Sequence, residues 1–343
     1  MAMPRQYNPQ LIKAGLQSFP TPDIDTHLLE LTAQVATNNR FSHTMSANDA
    51  EIMEAVRQGT QHVIFIIKEN RTYDQILGDL EIGNGDPDLA EFGEIYTPNQ
   101  HNLARTFITL DNFYATAEVS YDGWAWSTAA QAQDVIEKQF PVTYAGRGLS
   151  LEQGGLNRSV NVALPSVAER QAANPLTPDD PDVLPGQTDV AAPDGPDNEI
   201  NTGSIWDAAL RANLTVRNYG FNIDGTRYTF SQDSLYSLSL THMPALTNPP
   251  TQVAFASSVS LIPCTDPYFR GFDPAFPDYW RFKEWEREFD TKYVDGGEDL
   301  PALSLVRLMN DHTGKFDTAI DGVNTPELQQ AKNGGFTRLK TAF

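Results

Sequence analysis

Four polar residues in a row end the apolar stretch at residues 63–67: Lys68, Glu69, Asn70 and Arg71. Carboxylate and amide oxygens are good ligands for a hard divalent cation, so Glu69 and Asn70 are a candidate metal-binding pair. Open parallel sheets bind ligands beyond the carboxyl ends of their strands, and a strand at 63–67 would place the pair there. Taken alone, the stretch is more simply interpreted as a polar strand exit in which Arg71 pairs with a surface acid.

Ser120 is a second candidate, because it stands directly before a predicted helix in the sequence Glu-Val-Ser-Tyr-Asp-Gly at residues 118–123. A helix N-terminus offers free N–H groups and a partial positive charge, which suit a phosphate group. A serine hydroxyl at that position can attack phosphorus when a metal ion lowers its pKa and neutralises the phosphoryl oxygens. The more common alternative is that Ser120 or Asp122 only caps the helix.

The segments that must position these residues alternate between strands and helices. Residues 63–67 are apolar without alternation, which predicts a strand buried on both faces in the middle of a parallel sheet. A second strand is predicted at 105–114, and a helix from Asp122 onward. Residues 204–221 predict a helix and then a strand, and residues 300–314 a buried strand with a polar end. This alternation indicates an α/β fold with a mainly parallel sheet.

Further helices are predicted at residues 26–39, at 48–59 and from about Asp278 to residue 289. Asn48 or Asp49 is the expected cap of the second helix. The third carries aromatic residues on one face: Phe282, Trp285 and Phe289. That face would suit a partner protein if it were exposed, but apolar residues at helical spacing more often form core.

Residues 175–203 are rich in proline, aspartate and glycine, which predicts a long surface insertion. Its recurring carboxylates also suggest a calcium-binding loop. Their spacing fits no EF-hand pattern, so the surface insertion is the preferred interpretation.

Composition excludes several classes of function. A formal net charge of −21 over 343 residues repels nucleic-acid phosphates and anionic membranes, so neither is an expected partner. The single cysteine, Cys264, forms no internal disulfide and no zinc cluster. No apolar stretch approaches the roughly 20 residues of a membrane span, and the first residues lack the apolar core of a secretory signal.

Five sequence blocks together carry a family resemblance: IIKENRTYDQILGDL, TPNQHNLARTFITLDNFYATAEVSYDGWAWSTAA, RNYGF, PDYWRFKEWEREFD and MNDHTG. From about residue 10 to about residue 330, the chain resembles the bacterial phosphoesterase family, which includes phosphatidylcholine-type phospholipases C and acid phosphatases. It is most similar to members with a β-propeller ahead of the phosphoesterase domain. The resemblance implies the three-layer α/β/α sandwich of the alkaline phosphatase superfamily. Family members are often exported.

The resemblance also implies roles for individual residues. Glu69 and Asn70 match the metal-binding pair after the first strand, and Ser120 matches a nucleophile that also ligates the metal. His101 and His312 lie where the family carries histidines that contact phosphate or protonate a leaving group; a structural or surface role is the alternative for each. Two further residues are expected to hold the site together without doing chemistry: Asp122 and Arg71.

The chain departs from the family at both ends. The family completes its metal site with an apolar strand followed by Glu-Asp-Asp, and no such block occurs in this sequence. After Ala331 a Gly-Gly pair breaks the expected helix. We therefore expect residues 1–60 to be a lead-in and residues 61–343 an incomplete phosphoesterase domain.

The sequence thus predicts a metal-dependent hydrolase that acts on a small-molecule or phospholipid phosphoester through Ser120. Ca²⁺, Mg²⁺, Mn²⁺ and Zn²⁺ all remain candidates for its divalent cofactor. The first alternative is a catalytically inactive fragment of such an enzyme. The second is a non-catalytic binding module that uses the aromatic helix.

Overall fold

The structure is a computed structural model, and it divides the chain into two compact units, Met1–Gln61 and His62–Phe343. It describes residues 15–18, 20, 24–39, 41, 44–68, 70–114, 119–133, 136–137, 168, 172, 193–199, 202–223, 250, 252–256, 258–273 and 276–310. The predicted insertion at 175–203 therefore lies mostly outside the described residues, as do Glu69 and His312. Among the described residues, no helix is both long enough and apolar enough to cross a membrane.

The first unit contains helices α1 (Ile24–Asn38) and α2 (Ala47–Gly59), close to the two predicted helices. The cap of α2 is Ser46, whose hydroxyl accepts a hydrogen bond from the Asp49 backbone at 3.1 Å. The predicted caps Asn48 and Asp49 lie inside the first turn. Ser46 takes the capping role because its extended backbone lets its side chain reach the amide three residues on.

In the described part of the second unit, three strands pair in parallel: β1 (Val63–Lys68), β2 (Val216–Tyr219) and β3 (Leu303–Leu308). Their order in the sheet is β1-β3-β2. The expectation of an α/β chain with a parallel sheet is confirmed at this coarse level.

The prediction that β1 lies in the middle of this sheet was wrong. The central strand is β3, in which all six residues are buried. Ile64 and Ile66 of β1 are 47% and 52% exposed. A short apolar run can form an edge strand or a central strand. Its own sequence does not distinguish the two, because the position of a strand in the sheet depends on its partner strands.

The predicted strand at residues 105–114 was also wrong. Helix α4 covers Pro98–Thr106, and residues 107–114 form turns and irregular structure. Pro98 favours a helix start, since its missing N–H is not needed there. At the helix end, Arg105 binds Glu81 and Glu94 through hydrogen bonds of 2.6–2.9 Å, contacts that the apolar pattern of 107–114 does not reveal.

The remaining described helices surround this sheet. They are α3 (Tyr73–Leu77), α5 (Ser120–Ala129), α6 (Ile205–Arg211) and α7 (Asp278–Glu288), with 3-10 helices at Pro87–Leu89 and Val259–Cys264 and a π-helix at Phe289–Val294. The helix predicted from Asp122 onward is confirmed as α5. The helix–strand pair predicted in 204–221 is confirmed as α6 and β2, and the aromatic helix as α7.

Helices cover both faces of the sheet. Alternate residues of a strand point to opposite faces, so Leu305 and Val306 lie on opposite sides of β3. On the first face, Leu305 packs with Trp124 of α5 and Trp206 of α6. On the second face, Val306 packs with Tyr219, Phe269, Leu308 and Trp285 of α7.

Candidate functional site

The carboxyl ends of the three parallel strands lie at one edge of the sheet. Asn70 follows β1, Phe221 follows β2 and Asn310 follows β3. This edge is where open α/β sheets bind ligands.

Phe221 is set in place by the turn that ends β2. Gly220 has a positive φ of 100°, and a Cβ atom there would lie 2.9 Å from the Phe269 ring and 3.2 Å from the Cβ of Arg307. Glycine therefore fits where other residues would clash. The Asn218 side chain closes the turn by accepting from the Phe221 N–H at 2.9 Å and donating to the Phe221 carbonyl at 2.8 Å.

Helix α5 is anchored to the same edge by Trp124. The Trp124 ring meets Phe221 edge-on at 5.0 Å, and the Arg307 guanidinium lies 4.5 Å from the Trp124 ring centre. Both contacts come from the carboxyl-end part of a strand, so the packing of one tryptophan holds α5 close to the sheet edge. Ser120 is the first residue of this helix, about one turn before Trp124.

Ser120 does not cap α5. The N-cap residue is Val119, and the helix has no side-chain capping bond. Asp122 is buried in the first turn, and its Oδ1 accepts from the Gly123 N–H at 3.0 Å. The capping alternative therefore does not explain Ser120, which lies half-buried at the positive end of the helix.

Glu137 is a candidate that sequence reasoning missed. Burial raises its pKa, and the nearby Asp122 carboxylate raises it further, so two acids approach the first turn of α5. The chain must reverse direction after Ala130, which ends the helix with a φ of 56°, to bring Glu137 back. No local sequence pattern reveals such an approach.

Asn70 and Arg71 follow β1 as predicted, but their surroundings differ. Asn70 is exposed in a bend. Arg71 is half-buried, pairs with Glu91 at 3.4 Å and lies 4.8 Å from the centre of the Phe92 ring. Arg71 thus ties the strand exit to a later loop, which agrees with the simpler interpretation in which it pairs with an acid; its support of the site stays a prediction.

His101 is fully buried inside α4. Its Nδ1 lies 2.9 Å from the Thr97 carbonyl, and its Nε2 lies 2.9 Å from Oδ1 of Asp79. Burial alone would raise the pKa of Asp79, but hydrogen bonds from the Glu94 N–H and from His101 lower it. With both ring nitrogens engaged, the geometry favours the structural alternative for His101, and its catalytic role stays a prediction.

The exit of β3, two residues before His312, is fixed by α7. The Asp278 carboxylate accepts from the Met309 N–H at 3.0 Å and from the Asn310 N–H at 2.8 Å. The segment that leads to His312 therefore begins from a rigid point at the carboxyl edge.

The structure brings only part of the predicted set together. Among the described residues, no hydrogen bond or ion pair joins Asn70 to Ser120, and no three His, Cys, Asp or Glu side chains are spaced to hold a metal ion. The carboxylates of Asp122, in the first turn of α5, and of Glu137, which is close enough to Asp122 for its pKa to be raised, are suited in type to a hard cation. No family model, no curated protein and no solved structure matches this chain.

Proposed function

We propose that the chain is a metal-dependent phosphoesterase domain of the alkaline phosphatase-like type, with Ser120 as its nucleophile. The observation that carries the proposal is the anchoring of α5 by Trp124 against Phe221 and Arg307. It holds the helix that begins at Ser120 at the sheet edge where Asn70 leaves β1. The resemblance of the ENRTYD and EVSYDG blocks supports the same assignment.

In this proposal, Oγ of Ser120 attacks phosphorus and passes its proton to solvent water while the bond from phosphorus to the leaving oxygen breaks. The free N–H groups of the first turn of α5 bind phosphoryl oxygens that gain negative charge. Glu69 and Asn70 would hold a divalent cation, which would act as a Lewis acid when bound. His312 donates a proton to the leaving oxygen. Water then attacks phosphorus, the bond from phosphorus to Oγ breaks, and the proton that water loses returns to Ser120 as phosphate leaves.

The substrate class is a phosphomonoester or a phospholipid head group. The purified chain is assayed with p-nitrophenyl phosphate and p-nitrophenyl phosphorylcholine, with and without Ca²⁺, Mg²⁺, Mn²⁺ or Zn²⁺. We expect the chain to release nitrophenol only when a metal ion is present, and we expect Ser120→Ala to abolish this release. Loss of a nucleophile lowers turnover by several orders of magnitude.

Ser127→Ala is the matched control. Ser127 lies on the same helix, is exposed and donates to the Gly123 carbonyl at 2.8 Å. It makes the same chemical change about two helical turns away from Ser120, so this variant should keep the parent rate. A Ser120→Ala variant that hydrolyses substrate at the parent rate would remove Ser120 from the mechanism.

A second candidate is a non-catalytic domain related to such enzymes. The apolar side chains of residues 107–114 favour it, since Ile108 is 91% and Phe113 81% exposed. Patches of this kind often mark interaction surfaces. A folded chain that releases no nitrophenol under any of these metal conditions, and shows no metal-induced rise in melting temperature, favours this candidate.

A further inference from the structure

Helix α7 turns its charged side towards the core. Its buried residues are all charged: Asp278, Arg281, Glu284 and Glu288. The stacked aromatic residues on the adjoining stripe of the helix are only half-buried: Phe282, Trp285 and, just past the helix end, Phe289. A helix at a protein surface normally buries its apolar stripe, so the inward charges must be compensated by buried partners.

The compensation is uneven around Glu288. Glu284, Glu288 and Asp266 are all at least 98% buried, and Arg217, whose side chain is 13% exposed, is the least exposed of the cations that pair with them in the described residues. Nη2 of Arg217 lies 2.7 Å from Oε2 of Glu288 and 3.3 Å from Oδ2 of Asp266. Arg287 binds Glu284 and Lys292 binds Glu288, but both cations are more than a third exposed.

Asp266 is held so that one oxygen faces Glu288. Its Oδ1 accepts from the Tyr268 and Phe269 N–H groups at 2.8 and 2.7 Å, and its own N–H donates to the Asn218 carbonyl of β2 at 2.9 Å. Oδ2 of Asp266 and Oε2 of Glu288 both contact Nη2 of Arg217, so the two buried carboxyl groups lie side by side. Two ionised carboxylates can only accept hydrogen bonds, so a hydrogen bond between these two groups requires a proton.

We propose that Asp266 and Glu288 share one proton in the folded protein and that this bond latches the end of α7 to β2 until alkaline conditions remove the proton. Loss of the proton to solvent leaves two buried carboxylates facing a single buried guanidinium. Like charges in a buried site repel strongly, so the latch opens.

The electrostatics of both groups agree with this arrangement. Burial, and then Glu288 and Glu284, raise the pKa of Asp266. Burial alone would raise the pKa of Glu288, but hydrogen bonds from Asp266, Arg217 and Lys292 lower it. The two groups titrate as a pair with Asp266 as the main proton carrier.

Other titratable groups face the pair from neighbouring segments. Burial, and then Glu288 and Tyr293, raise the pKa of Tyr219 on β2, so this phenol stays neutral. Burial raises the pKa of the Cys264 thiol, although Arg217 opposes the shift. Both groups therefore resist ionisation in the range where the latch opens.

The sign of the pH effect follows from the raised pKa of Asp266. The unfolded chain releases this proton above about pH 4, whereas the folded chain keeps it. The stability that the latch contributes is thus present in acid and is lost as the pH rises. Glu288 acts in the opposite direction only below the ordinary glutamate pKa, outside this range.

The test is urea unfolding of the full chain between pH 5 and 9.5, for the parent and for Asp266→Asn. The asparagine amide can donate to Glu288 but cannot titrate. We expect the parent's unfolding midpoint to fall with rising pH, and the variant's midpoint to fall by less than half as much. A variant that keeps the parent's full pH dependence would overturn the proposal.

Asp273→Asn is the matched control. Asp273 is also buried, and it binds the guanidinium of Arg270 at 2.9 Å. This variant should have a lower midpoint at every pH and keep the parent's pH dependence.

The shared proton can also be measured directly in the parent protein, without any variant. In protein labelled with ¹³C at the aspartate carboxyl carbons, one carboxyl signal should titrate above pH 7. If every aspartate signal finishes titrating below pH 6, the shared proton does not exist.

Discussion

At the scale of single residues, His101 is a candidate catalytic residue whose contacts in the fold are those of a structural histidine. Its two ring nitrogens are engaged with Thr97 and Asp79, and the side chain has no contact with water. A buried imidazole in this position links the start of α4 to the loop after α3. Its removal leaves both a cavity and unmatched polar groups.

We therefore expect His101→Ala to lower the free energy of unfolding by about 2–4 kcal/mol. Urea unfolding measures the change, with His27→Ala, at an exposed position of α1, as the control that stays within about 0.5 kcal/mol. A variant of unchanged stability that has lost phosphoester hydrolysis would restore the catalytic role.

Glu69 carries the second prediction at this scale. A carboxylate that binds a divalent ion only in the folded chain makes stability depend on the metal concentration. Glu69→Ala should abolish any metal-dependent rise in melting temperature. The control is Glu51→Ala on α2, which is exposed and keeps the parent's metal response. An unchanged response in Glu69→Ala removes this residue from the metal site.

At the scale of elements, the position of a strand in the sheet decides which of its residues can be replaced by a charged residue. Ile66 and Val306 are direct partners in the parallel pairing of β1 with β3 and lie on the same face of the sheet. Ile66 is 52% exposed and Val306 only 7%. A charge is therefore hydrated at the first position and buried at the second.

Ile66→Lys should change the free energy of unfolding by less than about 1 kcal/mol, since an edge position lets the ammonium reach water. Val306→Lys should destabilise by more than about 4 kcal/mol or prevent folding, because it buries a charge. Circular dichroism and urea unfolding compare the two. Equal effects would contradict the strand order β1-β3-β2.

Arg281 of α7 shows the same dependence on position. It is fully buried and donates to the carbonyls of Arg270, Gly271, Asp273 and Phe276 as well as to the Asp278 carboxylate. The planar guanidinium has five donors in a fixed fork and satisfies a loop that has no regular structure. The charged stripe of α7 is thus buried because Arg281 provides hydrogen bonds to the carbonyl groups of the neighbouring loop.

At the scale of the whole molecule, a net charge of −21 coexists with exposed apolar side chains at residues 107–114. Charge repulsion between copies acts over the Debye length, about 30 Å at 0.01 M salt and about 3 Å at 1 M. Apolar attraction acts only at contact and is not screened. The balance between the two should therefore change with ionic strength.

We expect self-association, measured by sedimentation velocity, to rise between 10 mM and 500 mM sodium chloride. The double variant Ile108→Lys/Phe113→Lys should remain at the lower mass at both concentrations, with unfolding free energy within about 1 kcal/mol of the parent. Association that is independent of salt, or unaffected by the double variant, would exclude this surface.

The sequence by itself determined the features that depend on neighbouring residues. Helices α2, α5 and α7 follow from local composition and the spacing of apolar residues, although the predicted caps of α2 were wrong, and Ser120 was correctly predicted to stand at a helix start. The alternation of helices and apolar runs was enough for an α/β chain with a parallel sheet.

Only the tertiary structure decided features that depend on distant partners. The edge position of β1 is set by β3, which lies about 240 residues later in the chain. The approach of Glu137 to Asp122, the engagement of His101 by Asp79 and the inward turn of the charges on α7 likewise depend on chain reversals. Local patterns carry no record of these contacts, because burial and pairing are properties of the assembled chain.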